Sequence, residues 1–244
     1  MIDHYDWRGG REAMLRFGPE TGPIVVIAMP LFEEANRTRA FVVTLCRALA
    51  ARGVASALPD LPGQGESLVP LETCSIFDVA EGIERASKAD WEAGRALYSV
   101  AIRSGAILDK LALFSGRWHF APQTGPELLR DLKRVKQASI GARVLLGDLW
   151  YFDVAKPEGV EDQHVEIAGN RISTSLLTAL SVYEPWRQDD GGHVRTVRLD
   201  TDRKPADRHV PGTPLWRRAE PSNDPALAAL LADDIAAWIA RCGG

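Results

Sequence analysis

Cysteine is scarce in this chain. Its three thiols, Cys46, Cys74 and Cys242, are odd in number and show no CxxC spacing. A disulfide framework or a thiolate metal site is therefore not expected, and reduced structural thiols are. Long apolar runs are missing too, so no membrane-spanning helix and no membrane insertion are expected. The opening, Met1-Ile2-Asp3-His4-Tyr5-Asp6-Trp7, has no apolar stretch of the kind a secretory signal carries, and a cytoplasmic protein is expected. Neither sign of charge dominates: 29 Lys and Arg stand against 33 Asp and Glu, for a net charge of −4. That balance argues against nucleic acid as a partner. There is no internal repeat and no low-complexity tract. His4, His119, His164, His193 and His209 are scattered without metal-ligand spacing, and neither a metal nor a cofactor is expected.

What is present is an ordinary globular composition, 45% apolar and 25% charged over 244 residues. It is enough for one sizeable core. Ile24 to Met29 is a short β-branched run between Gly22-Pro23 and Pro30, and reads as a strand covered on both faces. From about Thr38 to Ala51, Phe41, Val42, Leu45 and Leu49 recur at helical spacing, and Gly53 supplies a stop. Val54 to Leu58 is a second strand. Strand, helix and strand within so short a span form a unit that requires parallel pairing and a right-handed crossover. A helix from Ser75 to Ala89 and a strand from Ala96 to Ala101 extend the alternation, and an apolar helix is expected from Ala106 to Leu113. This order implies a doubly wound α/β architecture.

The second half is less regular. Pro126 to Ile140 reads as a helix whose Arg130, Lys133, Arg134 and Lys136 form a solvated basic face. Val165 to Ile172 reads as a hairpin with a Gly-Asn turn, followed by a helix over Thr174 to Leu180 that Ser173 caps. Val194 to Leu199 is a late strand. Lys204 to Pro214 reads as a loop, and Pro225 to Arg241 as an amphipathic terminal helix. One domain over 1–244 is expected, with an irregular helical and hairpin insertion, in effect a reduced cap, over about 115–190.

Three local patterns carry chemical information. Met29-Pro30-Leu31-Phe32-Glu33-Glu34-Ala35-Asn36-Arg37 follows the first strand. Glu33, Glu34, Asn36 and Arg37 at a strand's carboxyl end can bind polar ligand groups, or can simply decorate a helix start with favourable acids. Asp60-Leu61-Pro62-Gly63-Gln64-Gly65-Glu66-Ser67 is a glycine-punctuated turn after the second strand. It lacks the Gly-Lys-Ser/Thr ending of a phosphate loop and reads as structural. The third pattern, Ala101-Ile102-Arg103-Ser104-Gly105, ends the third strand. A strained strand-to-helix turn that displays a nucleophile needs small residues two before and two after it. Ala101 and Gly105 meet that rule around Arg103. Arginine stays protonated and cannot be a nucleophile. It can clamp an anion or pair with Glu33 or Glu34. Shifting the register to Ser104 would set bulky Ile102 in the crowded place. The catalytic alternatives are Ser104 with His209, or water activated by a carboxylate such as Glu33; Asp148 and Glu184 are candidate acids by position alone.

These residues resemble the α/β-hydrolase superfamily and, within it, the second family of α/β hydrolases associated with the exosortase A system. The likeness rests on Pro30 to Arg37, Asp60 to Ser67, the arginine-bearing corner Ala101 to Ala106, Val165 to Ser173, and Gly212-Thr213-Pro214-Leu215-Trp216. Met29 stands where that family usually has histidine. The resemblance implies an α/β-hydrolase fold: a mostly parallel, doubly wound sheet flanked by helices. It implies a setting among exopolysaccharide or protein-sorting machinery. With Arg103 in the nucleophile's place, a non-catalytic site holding a small anionic or acyl ligand through Arg103, Glu33, Glu34, Asn36 and Arg37 is expected. The alternative is an esterase or thioesterase.

Overall fold

The computed structural model describes residues 1–140 and 164–243. Asp148 lies outside the described residues. Ten strands are found among them. β1 (Ile2–Trp7), β2 (Gly10–Phe17), β3 (Ile24–Ala28), β4 (Ala55–Pro59), β5 (Leu97–Ile102), β6 (Gly116–Phe120), β9 (His193–Leu199) and β10 (Arg208–Val210) build one sheet, and β7 (His164–Ile167) and β8 (Asn170–Ser173) a separate hairpin. The main sheet runs β1-β2-β4-β3-β5-β6-β9-β10. β1 and β2 pair antiparallel, β2 joins β4 antiparallel, and every later pairing is parallel.

Helices α1 (Glu33–Ala50) and α5 (Pro225–Cys242) cover one face, and α2 (Ile76–Glu92), α3 (Gly125–Ile140) and α4 (Thr174–Leu180) the other. Alternate residues of β3 serve the two layers: Val25 and Ile27 pack with α1 and α5, Val26 and Ala28 with α2 and α3. Double coverage is why that strand is apolar throughout rather than alternating. α2 begins at a capping box in which Ser75 and Asp78 satisfy each other's backbone N–H. α5 begins with Asp224 as cap and Pro225 in its first turn. Ser173 caps α4 as expected, through the Leu176 N–H. Among the described residues no helix is long and apolar enough to cross a membrane.

The doubly wound order is as read from the sequence, with five local differences. β1 and β2 were not expected, because their polar and apolar side chains do not alternate strictly and Glu12 lies on the buried face. Gly116–Phe120 falls in the region read as irregular, yet it is a central strand. The helix expected over Ala106 to Leu113 is absent; a five-residue 3-10 turn, Arg103–Ile107, takes its place. Beyond that turn Asp109 swings inward to accept from Ser99 Oγ at 2.7 Å, which redirects the chain into β6. The stretch read as a loop contains β10, whose Arg208, His209 and Val210 pair with Val197, Arg198 and Leu199. The hairpin turn is Ala168-Gly169, with φ of 49° and 77°. Asn170 already belongs to β8 and pairs with Ile167.

Candidate functional site

The site forms where the parallel strands end. Arg103 follows β5 directly and has φ 54°, a left-handed conformation unusual for a residue with a side chain. The backbone doubles back so tightly that a Cβ on Gly105 would lie 2.1 Å from the Ala28 carbonyl oxygen. Ala101, the other small residue, pairs with Ala28 across β3 and β5. The steric rule read from Ala101 and Gly105 thus operates around Arg103.

The Arg103 side chain turns into a charged nest. Its Nε and Nη2 donate to Glu34 Oε2 and Oε1 at 3.1 and 3.2 Å. Asp131 Oδ2 of α3 lies 3.6 Å from Nη2. The guanidinium carbon stands 4.8 Å from the Trp216 ring centroid, a cation–π distance. The two charged side chains are only 13% and 18% exposed, so the pair is shielded. Of the two roles open to this arginine, pairing with Glu34 is the one observed.

Ser104 lies beneath it, fully buried, and its Oγ accepts from the Leu31 N–H at 2.9 Å. The neighbouring Phe32 N–H donates to Gln64 Oε1 at 2.9 Å. Phe32 itself has φ 60°. In hydrolases with this corner, an N–H of the loop after β3 is turned to the developing oxyanion. Here these two N–H groups of the loop are held by the chain's own side-chain oxygens. No imidazole is among the hydrogen-bond partners of Ser104. His209 sits on edge strand β10, exposed, with Nε2 3.1 Å from the Lys204 carbonyl oxygen. Glu184 pairs with Arg187 at 3.1 Å on the surface.

Glu33 is held at 3.3 Å by Arg37, one helical turn on, and Asn36 Nδ2 reaches it at 3.4 Å. Arg37 Nη1 also donates to the Trp216 carbonyl oxygen at 3.3 Å. The first turn of α1 therefore gathers Glu33, Glu34, Asn36 and Arg37 as a group, tied to Arg103 through Glu34. The glycine-rich turn behaves as the framework it was read to be. Asp60 accepts from Arg39 Nη1 at 2.7 Å, and Ser67 Oγ accepts the Gly63 N–H at 3.0 Å.

Two cavities flank Arg103. One, of about 310 Å³, is lined by six cations, Arg103, Arg130, Arg198, Arg203, Lys204 and Arg217, against Glu127, Asp131 and Asp202. Within it Arg198 pairs with Asp202 at 2.7 Å, and Lys204 with Glu127. Arg203 and Arg217 have no side-chain partner among the described residues. The other cavity, of about 480 Å³, is walled by Leu31, Phe32, Leu128, Leu132, Val135 and Ile167, with Glu33, Glu34 and Asp131 facing Arg37, Arg103, Arg134 and Arg217. Arg103, Asp131, Trp216 and Arg217 line both. Arg130 and Arg134, read as part of a solvated face, thus border the two cavities.

Sequence reasoning missed Trp216, Asp131, Gln64 and the cations Arg203 and Arg217; the Gly212 to Trp216 stretch was the one signal that pointed toward any of them. It also missed a buried polar cluster below the corner. His119 Nε2 lies 3.1 Å from Asp109 Oδ2, the oxygen that Ser99 also reaches. Arg117 Nε stands 3.6 Å from Asp109 Oδ1. Burial pulls the Arg117 guanidinium below its usual range, and Asp109 offsets this in part. Among the described residues, no group of His, Cys, Asp and Glu could hold a metal ion.

Sheet order, strained corner and flanking helices define an α/β-hydrolase fold. Solved structures that the chain resembles carry the same fold. Est1E from Butyrivibrio proteoclasticus is 14% identical, with 99% of this chain and 98% of that one covered and a TM-score of 0.59. A loop variant of haloalkane dehalogenase DbeA from Bradyrhizobium elkanii is 14% identical over 100% and 97%, with a TM-score of 0.60. The bottromycin epimerase BotH, in complex with bottromycin A2, is 15% identical over 97% and 98%, with a TM-score of 0.53. No family model and no curated protein matches the chain.

Proposed function

We propose that this chain is a non-hydrolytic α/β-hydrolase-fold protein that binds an anionic ligand at the corner after β5. We further propose that it is related to the exosortase-associated hydrolases and serves exopolysaccharide or protein-sorting machinery in the cytoplasm. The observation that carries the first part is Arg103: it holds the nucleophile's strained position, and its guanidinium is locked to Glu34. The capture of the Leu31 and Phe32 N–H groups supports the same reading, because electrostatic stabilisation of an oxyanion needs free, preorganised donors. The excess of cations in the smaller cavity supports an anionic ligand. BotH is an epimerase, so the fold accommodates more than hydrolysis. The second part rests on the resemblance of Pro30 to Arg37 and of Gly212 to Trp216 to that family.

The test has two arms. Purified protein is exposed to a fluorophosphonate probe, to p-nitrophenyl esters of several chain lengths and to acyl-CoA; no serine labelling and no turnover are expected. Labelling of Ser104, or turnover abolished by Ser104→Ala or Glu33→Gln, overturns the non-hydrolytic reading. Titration calorimetry with inorganic phosphate should show saturable binding at low salt, and its absence overturns the anion reading.

A further inference from the structure

The two cavities are chemically unlike, and they meet at Arg103, Asp131, Trp216 and Arg217. In the larger one the acids are matched one for one: Glu33 by Arg37 at 3.3 Å, Glu34 by Arg103 at 3.1 Å, Asp131 by Arg134 at 3.3 Å. Apart from Arg217, which it shares with the smaller cavity, what that cavity then offers a ligand is hydrocarbon, from Leu31, Phe32, Leu128, Leu132 and Val135. The smaller one keeps an excess of positive charge. Arg198 and Lys204 are engaged there, while Arg203 and Arg217 are unpaired among the described residues. On the same wall Gln123 Nε2 donates to Asp131 at 2.7 Å.

We infer that the ligand is an amphiphile: an anionic head sits in the basic cavity, and a hydrocarbon chain runs past Trp216 into the apolar one. This deepens, and rests on, the anion-binding reading above. Arg203 and Arg217 would hold the head, and the chain would displace water from the Leu128, Leu132 and Val135 wall. Head and chain would add because each meets a separate surface. Cavities of a few hundred cubic ångströms are the usual size for a small molecule.

Titration calorimetry on the intact protein tests this with inorganic phosphate, butyl, hexyl and octyl phosphate, and octan-1-ol, all below their aggregation concentrations. The affinity should rise roughly fourfold for each methylene buried. Octan-1-ol should bind at least tenfold more weakly than octyl phosphate. Val135→Trp fills the apolar cavity from a position that is 40% exposed, and so should fold. It should flatten the chain-length series while leaving inorganic phosphate unchanged. The double change Arg203→Ala, Arg217→Ala, both at exposed positions, should weaken every phosphate at least tenfold. A flat series in the unaltered protein with phosphate still bound overturns the amphiphile and leaves the anion reading standing. A series that Val135→Trp does not flatten, or octan-1-ol binding as tightly as octyl phosphate, overturns the two-cavity placement. Failure of every phosphate to bind overturns both readings.

Discussion

Ser104 Oγ accepts the backbone N–H of Leu31 at 2.9 Å where the corner after β5 meets the loop after β3. The hydroxyl is thereby a structural acceptor. Replacing Ser104 with Ala leaves a buried N–H without a partner, a loss of about 1–3 kcal/mol. Urea unfolding should report that loss, while phosphate affinity should stay within twofold. A tenfold fall in affinity with unchanged stability would show that the hydroxyl meets the ligand instead.

Arg103→Ser should not create an esterase. It restores a hydroxyl at the strained position, but Leu31 and Phe32 still donate to Ser104 and Gln64. Glu34, 18% exposed, loses its bidentate partner and is left facing Asp131 across the cavity. The folded state should weaken by about 1–3 kcal/mol, at the upper end at low salt. Hydrolysis of p-nitrophenyl acetate above the buffer rate by this variant would contradict the assignment of those donors.

Two glycines separate crowding from backbone strain. Gly105→Ala forces a methyl against the Ala28 carbonyl oxygen, 2.1 Å away, and should cost more than about 3 kcal/mol or prevent folding. Gly169 has φ 77° with nothing within 4 Å of its Cβ direction, so Gly169→Ala should cost only about 1–2 kcal/mol. Thermal melts of the two variants rank them; equal losses would mean that the corner relaxes.

Asp234 should set much of the acid limit of stability. On α5 it accepts from Arg195 Nε at 2.7 Å, Arg208 at 2.8 Å and Trp118 Nε1 at 2.9 Å, which ties α5 to β6, β9 and β10. Burial works to raise its pKa, but these hydrogen bonds together hold it well below the usual carboxylate range of 3.8. A depressed carboxylate contributes stability above its unfolded pKa and loses it as pH falls through the folded value. The unfolding free energy should therefore drop steadily below about pH 4. Asp234→Asn should be less stable by about 3–5 kcal/mol at neutral pH and show a shallower acid slope. Parallel slopes would remove Asp234 from that role.

Thiol labelling offers an independent check on packing. Burial pushes Cys46 up to about 12 and Cys74 to about 11, and both side chains are buried, whereas Cys242 at the end of α5 is partly exposed. At pH 8 a disulfide reagent should modify Cys242 first, and the other two only on unfolding. Rapid loss of all three thiols in the native protein would contradict the described core.

The sequence disclosed those parts of the molecule whose evidence is local. β3, β4 and β5 are runs buried on both faces, and α1 and α5 keep a helical period, so composition and spacing sufficed. The corner was legible for the same reason: Ala101 and Gly105 are small because the turn around Arg103 needs them to be. β1 and β2 were hidden because charged residues such as Asp6, Arg11 and Arg16 break a strict alternation and a charged Glu12 stands on the buried face. β6 was hidden because Arg117 and His119 are polar, and Asp109, which explains their burial, approaches them only in the folded chain. Glu34 could be proposed as a partner for Arg103 but not chosen over Glu33, since the choice depends on which face of α1 meets β5. Nothing in Gln64 or Trp216 announces a part in the site; the first arrives from the turn after β4, and the second from just ahead of α5.

The five-residue 3-10 turn after Arg103 has an electrical consequence. A long helix starting there would aim its summed peptide dipole, a fixed partial positive charge, at the space above the corner. So short a turn supplies little of that field. Beyond the start of α1, the local potential comes from whole charges on long side chains, of which Arg203, Lys204 and Arg217 are open to counterions. At physiological salt such charges are felt over about 8 Å. Ionic strength thus becomes a direct control on how strongly this corner attracts an acid.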